Sequence, residues 1–316
     1  MPGGGCLQLG RGQFTDDTEL ALSLAAGLLL HENDSQTFPA EHVAQQYRRW
    51  IQSEPFDVGM ATTNAFGSAN PSGPSGAAKM MEEASWKNQD SKANGALMRI
   101  APLAIFGCYL PLPSLTAMAE QDARLSHPNK TCLSCNAAYC AALGHLIAHP
   151  GDAPGAIAVA TAVAERPDFE PEVRQWLVVD SLGEPAGLNC EQMIGFCRWG
   201  FTLAFMWLRK GSRYEIAIQQ TLRRGGDTDT NAAIVGGLMG ALWGAKAIPD
   251  SMSGPVLGSA WWRTSQDLLS PFRLQVRKPH VLYHKWNAAA VPVRLPEFSK
   301  DTFWCACPKM SRRRGS

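Results

Sequence analysis

Between Thr230 and Ala245 an apolar run carries Gly236, Gly237, Gly240 and Gly244. Glycine inside a helix costs roughly 1 kcal/mol relative to alanine. A helix this rich in glycine is therefore expected where neighbouring helices come too close to admit side chains. The rest of the chain reads the same way. Helical spacing predicts helices over Asp16 to Leu30 and over Ala40 to Ser53, the latter with Val43, Tyr47 and Trp50 on one face. Further helices are expected over Ser114 to Leu125, Asn136 to His149, Ala153 to Ala164, Glu191 to Arg209 and Tyr214 to Arg223. Phe201, Phe205 and Trp207 are available to the core. Asn94 to Cys108 restarts an apolar segment that Pro111 and Pro113 end, and Phe66 to Ala78, built of Gly, Ser, Pro and Ala, reads as a loop. Only Val281 to Tyr283 and Ala290 to Leu295 could be extended; sustained alternation is missing elsewhere. With no internal repeat and no linker, the expectation is one compact all-α body over residues 1–275, an orthogonal bundle, followed by a C-terminal extension over 276–316.

A chain of 316 residues that is 45% hydrophobic can bury a sizeable core. Lysine and arginine number 29 against 28 acids, a formal charge of +1, which argues against nucleic-acid or membrane-surface binding. Arg312 to Arg314 reads as a short solvated tail. The apolar run Leu20 to Leu30 is too short to span a bilayer, and no charged start, apolar stretch and cleavage site occur together. A cytoplasmic protein is expected. The nine cysteines are odd in number and unpatterned, with Cys108, Cys190 and Cys197 in apolar surroundings, so reduced thiols are expected rather than a disulfide framework.

Two acidic turns stand out. Thr15-Asp16-Asp17-Thr18 opens the first helix, and Gly225-Gly226-Asp227-Thr228-Asp229-Thr230-Asn231 opens the glycine-rich one. Thr and Asp at helix starts are ordinary caps, and acids there suit the helix dipole. Doubled aspartates at both starts favour a second reading. Hard cations such as magnesium take oxygen ligands, and neighbouring carboxylates are costly unless something neutralises them. Neither turn closes a site alone, so the two would have to meet. A zinc module from Cys132, Cys135, Cys140 and His145 is a competing reading. It is disfavoured because Asn136 to His149 reads as one alanine-rich helix without a tight metal loop.

The strings GQFTDDTELAL, SKANGALMRIAPLAIFG, ARLSHPN and RRGGDTDTNAAIVGGLMGALWG resemble, in the same order, motifs of the ADP-ribosylglycohydrolases, from about Gly3 to Ile248. That family includes dinitrogenase reductase-activating glycohydrolase and the ADP-ribosyl-arginine and ADP-ribosyl-serine hydrolases. The resemblance implies an all-α fold around two magnesium ions, with Thr15, Asp16, Asp17, Asp227, Asp229 and Thr230 as ligands. It implies a substrate loop at Asn94, Gly95 and Ala96, and a histidine near the ribose and phosphates at His127. Asp16 or Asp17 would serve as general base, with Asp90 a weaker candidate for proton handling. The implied reaction is magnesium-dependent hydrolysis of the bond between ADP-ribose and a protein side chain or small acceptor. The alternative is a catalytically silent ADP-ribose-binding or structural protein on the same fold. The family normally opens with a helix carrying Gly-Asp-x-x-Gly and a downstream glutamate, and Met1 aligns inside the family's body, so a shortened start is expected. Asn129 and Lys92 also depart from the family's usual residues.

Overall fold

The computed structural model describes residues 9, 11–30, 37–67, 76–183 and 188–257. Among them run α1 (Asp16–Leu29), α2 (Ala40–Gln52), α3 (Met60–Phe66), α4 (Gly76–Lys87), α5 (Ala101–Gly107), α6 (Leu112–Arg124) and α7 (Lys130–Ala148). The second half adds α8 (Ala153–Ala164), α9 (Pro171–Val178), α10 (Cys197–Lys210), α11 (Tyr214–Leu222), α12 (Thr228–Trp243) and α13 (Asp250–Leu257). The fold is all-α, as the sequence predicts. An isolated antiparallel bridge joins Ala93 to Phe196.

Helix α7 has no charged residue between Lys130 and His145, and it is buried nearly all round. It packs on α5, α6, α8, α9, α10 and α12. Its 19 residues are long and apolar enough to cross a bilayer, yet 83% of that apolar window is buried inside the protein. A helix that is apolar on every face is what a central core position requires.

The glycines of α12 have the expected physical cause at two positions. A Cβ on Gly237 would lie 2.6 Å from the hydroxyl of Tyr139, and one on Gly236 would lie 3.2 Å from that of Tyr214. Tyr139 comes from α7 and donates to the Ile234 carbonyl at 2.6 Å, so its ring is pinned across the helix interface. Gly200 of α10 makes a matching approach, where a Cβ would meet Ile234 Cδ1 at 2.5 Å. Gly244 faces open space instead and ends the helix at φ 75°.

Several boundaries differ from the sequence reading. Asn129 accepts from Thr131 N at 3.0 Å and caps α7 at Lys130, well before Asn136. Helix α10 begins at Cys197 rather than Glu191, because Met193 and Gly195 hold φ values of 49° and 83° that end any helix there. The segment from Asn94 becomes α-helical only at Ala101, being folded into turns before it. The expected loop over Phe66 to Ala78 is helical at both edges: Phe66 closes α3, and Gly76 opens α4, which buries Ala77, Met80 and Ala84. The extended runs at 281–283 and 290–295, and the whole of 276–316, lie outside the described residues. The described cysteines are free thiols.

The tightest of these contacts sets a stability expectation. Gly237→Ala should destabilise the protein by about 1–3 kcal/mol, because a buried, hydrogen-bonded tyrosine has to move. Chemical denaturation checks this, and Gly244→Ala is the control for the loss of a positive-φ cap without crowding.

Candidate active site

The α1 and α12 starts face each other. Thr15 is the N-cap residue of α1 and Asp227 that of α12, yet neither side chain makes a capping hydrogen bond. The Thr15 hydroxyl instead lies 2.9 Å from Asp17 Oδ2 and 3.3 Å from Asp229 Oδ2, a contact across 214 residues of chain. Asp227 Oδ2 accepts from Asn94 Nδ2 at 2.7 Å. Two other helix starts do carry side-chain caps: Asn129 accepts from Thr131 N at 3.0 Å and Asp152 from Gly155 N at 2.9 Å. The capping reading of the acidic turns therefore fails for their side chains.

Five aspartates share this region. Asp16 and Asp17 are only 8% and 5% exposed. Burial, then the neighbouring Asp17, Asp57, Glu19 and Asp229, push the Asp16 carboxyl up to about 9. Burial and Asp229 push Asp17 up to about 7, against opposing hydrogen bonds from Thr15 and Thr230. Asp227 is raised by burial, with the Asn94 amide working against the shift. The fifth is Asp57, raised by burial and by Asp229 and Asp227. None of the ion pairs among the described residues reaches any of the five. Asp17 Oδ1 is buried without a hydrogen-bond partner. Among the described residues no three His, Cys, Asp or Glu side chains are gathered tightly enough to hold an ion as they stand.

The Asn94-Gly95-Ala96 turn reaches this cluster through Asn94. Its backbone is fixed from the other side, where Asn94 N donates to Gly195 O at 2.8 Å and Cys197 N donates to Lys92 O at 3.0 Å. The departure at Lys92 is absorbed by an ion pair of 2.6 Å to Glu172 of α9. Gly195 itself sits with Asn94 Oδ1 and Asp227 Oδ2 each 3.8 Å from where its Cβ would be. His127 lies under Gly95 and is only 1% exposed. Burial, then Arg99, hold its imidazole down at about 3, so the ring is neutral. Asp90 is exposed in the turn after α4. The zinc reading has no support among the described residues. Cys132, Cys135 and Cys140 are buried thiols in α7, and His145 is held by Asp152 at 2.8 Å.

Sequence reasoning passed over Asp57 and Arg99. Asp57 stands in Phe56-Asp57-Val58-Gly59, which looks like any turn. Arg99 had a usable signal, because a charge inside the apolar stretch Ala96 to Ile100 has to be paired once buried.

The fold and this site together define an all-helical protein, among the described residues, in which the starts of α1 and α12 jointly build one acidic centre. Residues 2–277 match the family model of the ADP-ribosylglycohydrolases, and the chain belongs to that family. It is 31% identical over 255 residues to a protein of Acanthamoeba polyphaga mimivirus named "Putative ADP-ribosyl glycohydrolase L543", covering 76% of this chain and 74% of the relative. It is 26% identical over 256 residues to the ADP-ribosyl-dinitrogen-reductase glycohydrolase of Rhodospirillum rubrum, covering 79% and 75% respectively. A solved structure described as an ADP-ribosylglycohydrolase-related protein complex superposes with a TM-score of 0.63 at 25% identity, over 90% of this chain and 86% of its own.

The raised carboxyls give stability a defined pH dependence. With folded values of about 9 and about 7 against 3.8 for the free group, Asp16 and Asp17 favour the fold when protonated. That contribution is fully present below 3.8 and is lost as pH rises through about 7 and then about 9. The melting temperature of metal-free protein should therefore fall from about pH 5 to about pH 9, and Asp16→Asn should flatten the slope. Calorimetry across that range checks it; a slope unchanged by the substitution would contradict it.

Proposed function

We propose that this protein hydrolyses the glycosidic bond joining ADP-ribose to a modified protein side chain, with magnesium held by Thr15, Asp16, Asp17, Asp227, Asp229 and Thr230. Family membership supports glycosidic hydrolysis, and the Rhodospirillum relative is named for an ADP-ribosylated protein as substrate. The observation that carries the metal reading is the abandonment of both helix caps. Neither side chain caps its own helix: Thr15 lies against Asp17 and Asp229, and Asp227 accepts from Asn94.

The residues present fit a hard divalent cation. They supply oxygen donors only, include the unpartnered buried Asp17 Oδ1, and lack a protein cation among the described ion pairs. When bound, such an ion supplies positive charge that polarises substrate oxygens and lowers the pKa of water. The chain's own groups do the rest. Asn94 orients Asp227 through its amide. Gly95 adds no side chain beside Asn94, while Ala96 is fully buried against Ala123 and Leu133 and would act through backbone position alone. Cleavage at the anomeric carbon builds oxocarbenium-like charge, which ionised carboxylates below the ribose would stabilise. Asp16 or Asp17, once ionised, would accept the proton of the attacking water as its oxygen bonds to the anomeric carbon and the glycosidic bond breaks, and that proton then goes to the departing side chain. Asp57, half-buried and facing Asp227 and Asp229, is a further carboxylate at the same centre.

Asp229→Asn tests this directly. Magnesium-dependent release of ADP-ribose from an ADP-ribosylated protein should fall by about 100-fold or more, the rate equivalent of losing several kcal/mol of charge stabilisation. Helicity by circular dichroism should stay unchanged. Full activity in the variant would reject the ligand role. Tight ADP-ribose binding by the wild type without turnover would favour the silent-binder alternative.

A further inference from the structure

Behind the Asn94-Gly95-Ala96 turn lies Arg99, whose side chain is 0% exposed. Its Nε donates to Asp122 Oδ2 at 3.1 Å and its Nη2 to the Asp122 carbonyl at 2.9 Å. Tyr47 donates to the other Asp122 oxygen at 2.7 Å, and its ring stacks under the guanidinium at 4.6 Å. Arg99 is thus immobile, and its remaining nitrogen, Nη1, points to two places. It donates to Gly95 O at 3.3 Å and to Ser126 Oγ at 2.8 Å.

The second of these bonds has a chemical consequence. Arginine donates and never accepts, so Ser126 Oγ is the acceptor and still has a hydroxyl proton to place. His127 Nδ1 lies 2.8 Å from that oxygen. If Ser126 donates to it, Nδ1 is the unprotonated nitrogen, and the neutral ring carries its proton on Nε2. The opposite tautomer would point Nδ1–H at an oxygen already accepting from Arg99, leaving a fully buried hydroxyl proton without an acceptor. The Nε2 edge of the ring faces the turn, since a Cβ on Gly95 would lie 3.1 Å from Nε2 and 2.9 Å from Cε1.

We propose that Arg99 and Ser126 are positioning residues that hold His127 as the Nε2–H tautomer, so that it offers a fixed hydrogen-bond donor to a phosphate or hydroxyl oxygen of the ligand at Gly95. The identity of that ligand as ADP-ribose rests on the function proposed above; the tautomer does not. Burial and Arg99 also keep the ring from protonating, so Nδ1 stays an acceptor for the Ser126 hydroxyl. Glycine at position 95 keeps a Cβ from crowding the Nε2 edge at 3.1 Å.

Long-range proton–nitrogen NMR on the full chain with labelled histidine reads the tautomer without any assay. The wild type should show Nε2–H and no titration of His127 between about pH 5 and about pH 8. Ser126→Ala, which keeps the Arg99–Asp122 pair and hence the fold, should mix the tautomers. It should also weaken the Kd for free ADP-ribose by about tenfold, the value of one lost hydrogen-bond donor. Nδ1–H in the wild type, or an unchanged tautomer in Ser126→Ala, overturns the positioning role. A shifted tautomer with an unchanged Kd overturns the donor role. If the wild type binds no ADP-ribose at all, the functional reading falls while the tautomer result still decides the positioning role.

Discussion

Carboxylates withdrawn from water beside other carboxylates repel one another, and a fold that gathers them has to hold them by force elsewhere. Asp16 and Asp17 come from one end of the helical body and Asp227 and Asp229 from the other, and the Thr15 hydroxyl lies between the two sets. Nothing local favours this meeting. It is imposed by the packing of α1 and α12 against helices that are themselves fixed by burial.

That packing is tight because it is built from small residues at the crossings. Gly237 admits the Tyr139 hydroxyl and Gly200 admits Ile234, which lets α7, α10 and α12 approach closely. The α12 N-terminus is thereby placed beside the α1 start. A second rigid unit, the Arg99–Asp122–Tyr47 network, stiffens the turn carrying Asn94 from behind. Asn94 then couples the two units, since its backbone is held by Gly195 and its amide by Asp227.

The helices were legible where burial imposes a period, as in Ala153–Ala164, whose bounds the spacing predicts to the residue. The short helices α3, α9 and α13 carried too few turns for a period to register, although Pro171 at the start of α9 is a readable signal; α4, 12 residues long, opens within the Gly, Ser, Pro and Ala stretch that reads as a loop. The acidic turns were visible, but their role was not separable from capping by spacing alone. A capping Asp and a site Asp occupy the same sequence position, and only the direction of the side chain distinguishes them. Asp57 was hidden for a related reason: its neighbours in space lie far away in the chain, and its neighbours in sequence describe a turn. His127 was found through its motif, whereas its burial under Gly95 and its tie to Ser126 and Arg99 are properties of the folded chain.

The account depends on a divalent cation resolving the repulsion among these aspartates. Anomalous diffraction from crystals equilibrated with Mn²⁺, which shares magnesium's charge and preference for oxygen ligands, examines that point with no reference to catalysis. Peaks bounded by Asp17, Asp227 and Asp229 are the predicted result. An ion-free cluster in crystals that bind Mn²⁺ elsewhere, or not at all, would contradict it.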